Sequence, residues 1–124
     1  MGCQRPFLGW NELPTTNLWK AVLAEFVVTV LYMILACGAI LGLGFHEPSL
    51  LHTSLNTGFT VAVLASMFWH ISGGHFNPAV SVALAVRGTI SVVRCLLYCV
   101  AQSAGSKSLH RKLSKAFTLR ANIF

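Results

Sequence analysis

Charge is scarce in this chain. Of its 124 residues 10% are Asp, Glu, Lys or Arg and 55% are hydrophobic, whereas soluble domains carry about 25% charged residues. With a mean hydropathy of +0.68, that shortage argues against a soluble domain and for a protein whose solvent is the bilayer. Acids are scarcer still, three against nine bases, for a net charge of +6. Five of the bases, Lys107, Arg111, Lys112, Lys115 and Arg120, follow position 106 with no acid among them. The excess therefore belongs to a tail and carries no argument for a nucleic-acid partner.

Cysteine chemistry is missing too. Cys3, Cys37, Cys95 and Cys99 form no CxxC pair and no secreted-domain spacing, which argues against a disulfide framework and a structural zinc. The last three lie in apolar runs, where thiols act as small hydrophobes. Met1 and Gly2 open a myristoylation pattern that Pro6 breaks, leaving Cys3 as a weak palmitoylation candidate. No nucleophile, base and orienting group occur together, so no enzyme, metal or cofactor is expected. No internal repeat is visible.

What is present are apolar runs. Residues 21–45 hold one ionisable group, Glu25, and are long enough to cross about 30 Å of hydrocarbon. They lack the cleavage pattern of a signal peptide. A first spanning helix is expected over about 19–45, with Gly38 and Gly42 forming a GxxxG step for close helix approach. After "EPS" at 47–49, a second spanning helix is expected over about 50–71, free of charged residues and with His52 and His70 near its ends.

The third run, "FNPAVSVALAV" over 76–86, rises only about 16 Å as a helix and cannot cross a bilayer. Gly73 and Gly74 permit an unwound approach, Asn77 is a good N-cap and Pro78 suits the first turn, so a half-helix over about 77–87 starts within the membrane. Irregular backbone at that depth must be buried in protein or line an aqueous cavity, and the helix N-terminus points a positive field at whatever passes. That is a device for a pore. A fourth run, about 89–106, contains Arg94 and reads as a partial third spanning helix. The tail, 107–124, spaces Leu109, Leu113, Ala116 and Phe117 against its bases; it reads equally as a basic amphipathic helix on an anionic leaflet or as a disordered tail. The expected class is thus an all-α membrane protein with two full spanning helices, one re-entrant half-helix and a partial third span.

Arg5 and Lys20 precede the first helix and the next connection carries no Lys or Arg, which places residues 1–17 in the cytoplasm. If the fourth run spans, the basic tail lands outside, against the same rule.

The segments "AEFVVT" (24–29), "HISGGHFNPAV" (70–80) and "ISVVRCLLYCVAQSAGS" (90–106) resemble the aquaporin, or major intrinsic protein, family over about residues 18–106, its first repeat. The resemblance implies a channel for water, and in some members glycerol, in which two half-helices meet at paired Asn-Pro-Ala motifs. By position, the Asn77 amide donates to permeant oxygen, the carbonyls of Gly73, Gly74 and His75 form an accepting ladder, and Pro78 and Ala79 contact the second motif. Val80 is the adjacent apolar wall, Glu25 anchors the loop backbone, and Tyr32 and Val61 align with pore-facing positions. His75, inside the motif, is read as pore-lining, and His46, His52 and His70 as interfacial. Thr57 stands where water-selective relatives carry Phe, which implies a wider or more polar filter.

The family also has a second repeat that these residues do not contain, so the chain is expected to be incomplete as a pore and unable to conduct alone. The resemblance implies a lipid bilayer and water or a small neutral solute as partners, and a homo- or hetero-oligomer, by family habit a tetramer. It implies the plasma membrane, with retention in the endoplasmic reticulum for so short a form. The alternative is a non-conducting half-channel that associates with complete relatives and modulates them.

Overall fold

The computed structural model describes residues 7–40 and 49–121. Arg5, Cys3, Gly42, His46 and Glu47, and the readings attached to them, lie outside the described residues. Among those described, the backbone forms four helices and no strand: α1 (Thr16–Ile40), α2 (Leu50–Ser72), α3 (Pro78–Val86) and α4 (Val92–Ala121), preceded by a short 3-10 turn at Trp10–Glu12. In lipid every backbone polar group must be satisfied within the protein, and a helix does this inside one segment.

Apolar Ala, Leu, Val and Ile dominate α1, and Thr16–Gly38 is the one described helix long and apolar enough to cross a membrane. Two such helices are expected from the sequence. The second, α2, has the length and lacks charge, but Thr53, Ser54, Asn56, Thr57, Thr60 and Ser66 dilute its apolar character. Ser49 caps α2, its hydroxyl accepting from the His52 N–H at 3.2 Å. Asn56 Nδ2 donates to the Leu35 carbonyl at 3.0 Å, tying α2 to α1.

Three observations show that α1 and α4 run parallel. Near their starts Arg94 Nη2 lies 2.6 Å from Glu12 Oε2; midway Gln102 Nε2 lies 2.8 Å from Glu25 Oε2. One turn further, a Cβ on Gly105 would stand 3.0 Å from the Phe26 carbonyl oxygen and 3.3 Å from Thr29 Cβ. Gly105 thus allows the two backbones to come close, and small buried residues on both sides, Ala21, Ala24 and Ala101 among them, permit the approach.

The first N–H groups of α4 have no partner within their helix. They find one in the N-terminal segment: Val92 and Val93 donate to the carbonyls of Phe7 and Leu8 at 3.1 and 3.2 Å. Ser91 Oγ accepts from the Arg94 N–H at 3.3 Å. Gly9 is required beside this contact, since its φ is +75° and a Cβ there would collide with Ser91.

The sequence divides at Ser106, where apolar residues give way to basic ones, yet the helix does not. It continues without a break to Ala121, 30 residues in all. Lys, Arg, Leu and Ala are all strong helix formers, so the change of polarity carries no change of backbone preference.

Candidate functional site

Between α2 and α3 the chain reverses through five residues. Gly73 ends α2 with φ +92°, its N–H reaching the Trp69 carbonyl at 3.0 Å. Gly74 follows at φ +58°, placed so that a Cβ would sit 3.4 Å from the Ala65 backbone. Both are in the left-handed region that glycine adopts at no steric cost. Phe76 has φ +36° without that freedom, a conformation that costs about 1–3 kcal/mol and persists only where surroundings impose it. Asn77 is extended and Pro78 opens α3; Asn77 Oδ1 accepts from the Ala79 N–H at 2.9 Å.

What imposes the loop is Glu25. Its side chain is fully buried, and both oxygens are occupied by donors. Oε1 accepts from the Ser72 hydroxyl at 2.6 Å and the His75 N–H at 3.0 Å. Oε2 accepts from the Phe76 N–H at 2.8 Å and Gln102 Nε2 at 2.8 Å. Four donors around two oxygens complement an acceptor-only group, and they satisfy the two loop N–H groups that no helix can serve.

A second layer surrounds the carboxyl group. Gln102 Nε2 also reaches Ser81 Oγ at 3.1 Å, which lies 3.1 Å from His75 Nδ1. Tyr98 donates its hydroxyl to the Ser72 carbonyl at 3.0 Å and packs edge-on against the His75 ring, centroids 5.2 Å apart. Ser72, His75, Ser81, Tyr98 and Gln102 are all buried. One acidic residue of α1 thereby joins the end of α2, the loop, α3 and α4.

The structure places the expected site residues in three groups. Asn77, Pro78, Ala79 and Val80 are exposed at the start of α3. Gly73 and Gly74 are half-buried, whereas the His75 imidazole turns into the helix packing and is only 5% exposed. Its ring is therefore not at the surface that Asn77 presents, unlike the pore-lining reading of that side chain. Tyr32 stacks on Phe76, centroids 6.2 Å apart and planes 14° from parallel. Thr57 and Val61 share the α2 face that continues to Ala65, against which Gly74 packs.

Sequence reasoning missed Ser72, Ser81, Tyr98 and Gln102. A signal existed for two of them: Ser91, Tyr98 and Gln102, seven and four residues apart, mark one stripe of a helix otherwise read only as apolar. Among the described residues no group of three or more His, Cys, Asp or Glu could hold a metal ion.

Comparison with known proteins agrees with this architecture. The major intrinsic protein family profile matches residues 12–117, extending past the motif-bearing segment on both sides. The neurogenic protein big brain of Drosophila melanogaster is 38% identical over 97 residues, covering 76% of this chain and 14% of that protein. Aquaporin-4 of Mus musculus is 38% identical over 96 residues, covering 74% and 30%. Aquaporin-1 of Bos taurus is 37% identical over 107 residues, covering 77% and 39%. The chain is an all-helical membrane-protein fragment, and it belongs to the major intrinsic protein family. It spans about two fifths or less of the length of these relatives.

Proposed function

We propose that these residues form the first half of a pore for water and other small neutral solutes. The observation that carries this reading is a short helix, α3, whose start is exposed while the loop before it is held on a buried carboxyl group. Because Asn77 Oδ1 is taken by the Ala79 N–H, its Nδ2 is left to donate outward to a permeant oxygen. In this reading the Gly73, Gly74 and His75 carbonyls are the accepting groups that precede it. Pro78 and Ala79 face a second half-helix, which must come from outside these 124 residues. Val80, Tyr32 and Val61 form apolar wall, and Thr57 widens the constriction enough for glycerol. Glu25 is the structural anchor. A few fixed donors and acceptors on an apolar wall, with a positive helix end, pass neutral molecules and repel cations. The chain does no catalysis, is multi-pass, and works in an oligomer at the plasma membrane; without its second half it is held in the endoplasmic reticulum.

The test is a chimera in which residues 18–106 replace the matching segment of Aquaporin-1 of Bos taurus, read by stopped-flow swelling of proteoliposomes. Water and glycerol permeability above that of empty vesicles, lost on Asn77→Asp, is the expected result. A correctly inserted chimera no more permeable than empty vesicles refutes the proposal. Expressed alone, the 124-residue chain should stay intracellular; a long-lived surface pool would contradict the retention.

A further inference from the structure

Four hydroxyl side chains follow Gly105, and three of them are spent on carbonyls of their own helix. Ser106 donates to the Ser103 carbonyl at 3.1 Å, Ser108 to that of Gly105 at 2.9 Å and Thr118 to that of Ser114 at 3.0 Å. Such back-bonding engages the hydroxyl proton and holds the oxygen against the helix. The fourth, Ser114, is exposed, and among the described residues its hydroxyl makes no such bond.

The sequence around Ser114 sets it apart as well. In "RKLSK", Arg111 stands three residues before it, Lys112 two before and Lys115 one after. Protein kinases choose among hydroxyls partly by the charge pattern around them, and the planar fork of an arginine suits a carboxylate-lined subsite. Ser106 and Ser108 have Ser103 and Gly105 three residues before them. Thr118 has Lys115 there, but its hydroxyl is the one bonded to the Ser114 carbonyl.

The fold also offers a place for a phosphate. Lys107, Arg111 and Lys115 recur every four residues with His110 and Ser114 between them, so all five lie on one side of the helix. All five are exposed, and with Ser106 and Met33 of α1 they line an open cleft of about 570 Å3. His110 and Arg111 precede Ser114 by four and three residues, the spacings at which side chains meet on a helix. A phosphoserine brings a charge of about −1.5 to −2 and three acceptor oxygens, to which cationic side chains donate strong hydrogen bonds.

We propose that Ser114 is a phosphorylation site for a kinase that reads basic residues before its target, and that Arg111, His110 and Lys107 then hold the phosphate in the cleft. In the transfer the Ser114 oxygen bonds to the γ-phosphorus of a nucleoside triphosphate brought by the kinase. The bond to the β-phosphate oxygen breaks, the diphosphate leaves, and the hydroxyl proton passes to the kinase's base. Bases near a helix end favour the cytoplasmic side, where the triphosphate is available.

The test incubates the full 124-residue chain in detergent micelles with ATP and the catalytic subunit of cyclic-AMP-dependent protein kinase, and maps phosphate by mass spectrometry. Phosphate should appear on Ser114. Ser114→Ala should abolish it, and Arg111→Gln should slow it about tenfold or more through the loss of charge-assisted hydrogen bonds to the kinase. Casein kinase II, which reads acidic residues, should add none there. Lys107→Gln with His110→Gln should be phosphorylated as fast as the wild-type chain, because only the cleft is altered. Phosphorus NMR should find the wild-type phosphate titrating below the value of about 6 usual for phosphoserine, since neighbouring cations favour the dianion, and that of the double variant closer to it. A Ser114 left unlabelled, or labelled as fast in Arg111→Gln or by casein kinase II, overturns the site. A wild-type phosphate that titrates at the usual value overturns its capture by the cleft.

Discussion

Replacing Glu25 by glutamine keeps the size of the side chain and removes half of its accepting capacity. Four donors converge on the carboxyl group, two of them the His75 and Phe76 N–H groups. Glutamine keeps one oxygen and turns an NH2 group toward the other pair, so two donors lose their acceptor. Each buried donor left unpaired costs about 1–3 kcal/mol. Against this stands the relief of no longer burying a carboxylate, several kcal/mol in an apolar interior, much of which the four donors already offset. We expect a net local loss of about 2–3 kcal/mol, or roughly 30- to 150-fold in the opening equilibrium of the loop. Hydrogen exchange reads this directly at the His75 and Phe76 amides. The Val92 and Val93 amides, held by Phe7 and Leu8 at the start of α4, should exchange as before. Loop amides protected in Glu25→Gln to within twofold of the wild-type chain would refute the view that the carboxyl group holds the loop.

The remaining contacts give sharper contrasts when read in pairs. Gly105→Ala should be near neutral in thermal unfolding, because a gain in helix propensity of up to about 1 kcal/mol opposes the 3.0 Å approach to Phe26. Gly105→Leu should lose about 1–3 kcal/mol by overpacking, and an unchanged midpoint would refute close approach of α1 and α4. Gly74→Ala should cost about 1–2 kcal/mol from its left-handed backbone. Gly58→Ala, in a helix with open space around it, should gain about 0.5–1 kcal/mol; the same sign for both would sink the argument. Arg94→Gln breaks a pair only 16% and 14% exposed. It should release the segment before Thr16 to limited proteolysis, and a double-mutant cycle with Glu12→Gln should give a coupling of about 1–3 kcal/mol.

The parts of the fold that were legible in the sequence are those with local causes. The all-helical class follows from apolar runs that must satisfy their own backbone. The short α3 follows from Asn77 and Pro78, whose cap and first-turn chemistry acts within three residues. The partners of Glu25 other than the loop were not legible, because Ser72 and Gln102 lie 47 and 77 residues away and no local rule pairs them. The support of α4 by Phe7 and Leu8 was hidden for a related reason, since main-chain carbonyls have no sequence signature. The continuity of α4 was obscured in the opposite way. Polarity changes at Lys107, helix propensity does not, and a reading keyed to hydrophobicity sees a boundary that the backbone ignores.

That continuity sets packing against charge. The Glu25 network and Gly105 lock α4 parallel to α1, so the end of α4 lies on the side opposite the start of α1. Near the starts, Lys20 and Arg87 are exposed while Arg94 is engaged with Glu12. Near the far end, Lys107, Arg111 and Lys115 are all exposed. Bases close to the membrane ends decide which side stays in the cytoplasm, and here both ends bid for it. The helix packing cannot be relaxed to resolve the conflict without breaking the buried bonds of Gln102 to Glu25 and Ser81 and of Tyr98 to Ser72, so the chain should insert in both orientations. A glycosylation acceptor fused after Phe124 reports the fraction whose far end is translocated. Neutralising Lys107, Arg111 and Lys115 should raise that fraction towards completeness, whereas neutralising Lys20 and Arg87 should lower it. A fraction that neither change moves would mean that α4 does not cross beside α1 when the chain inserts.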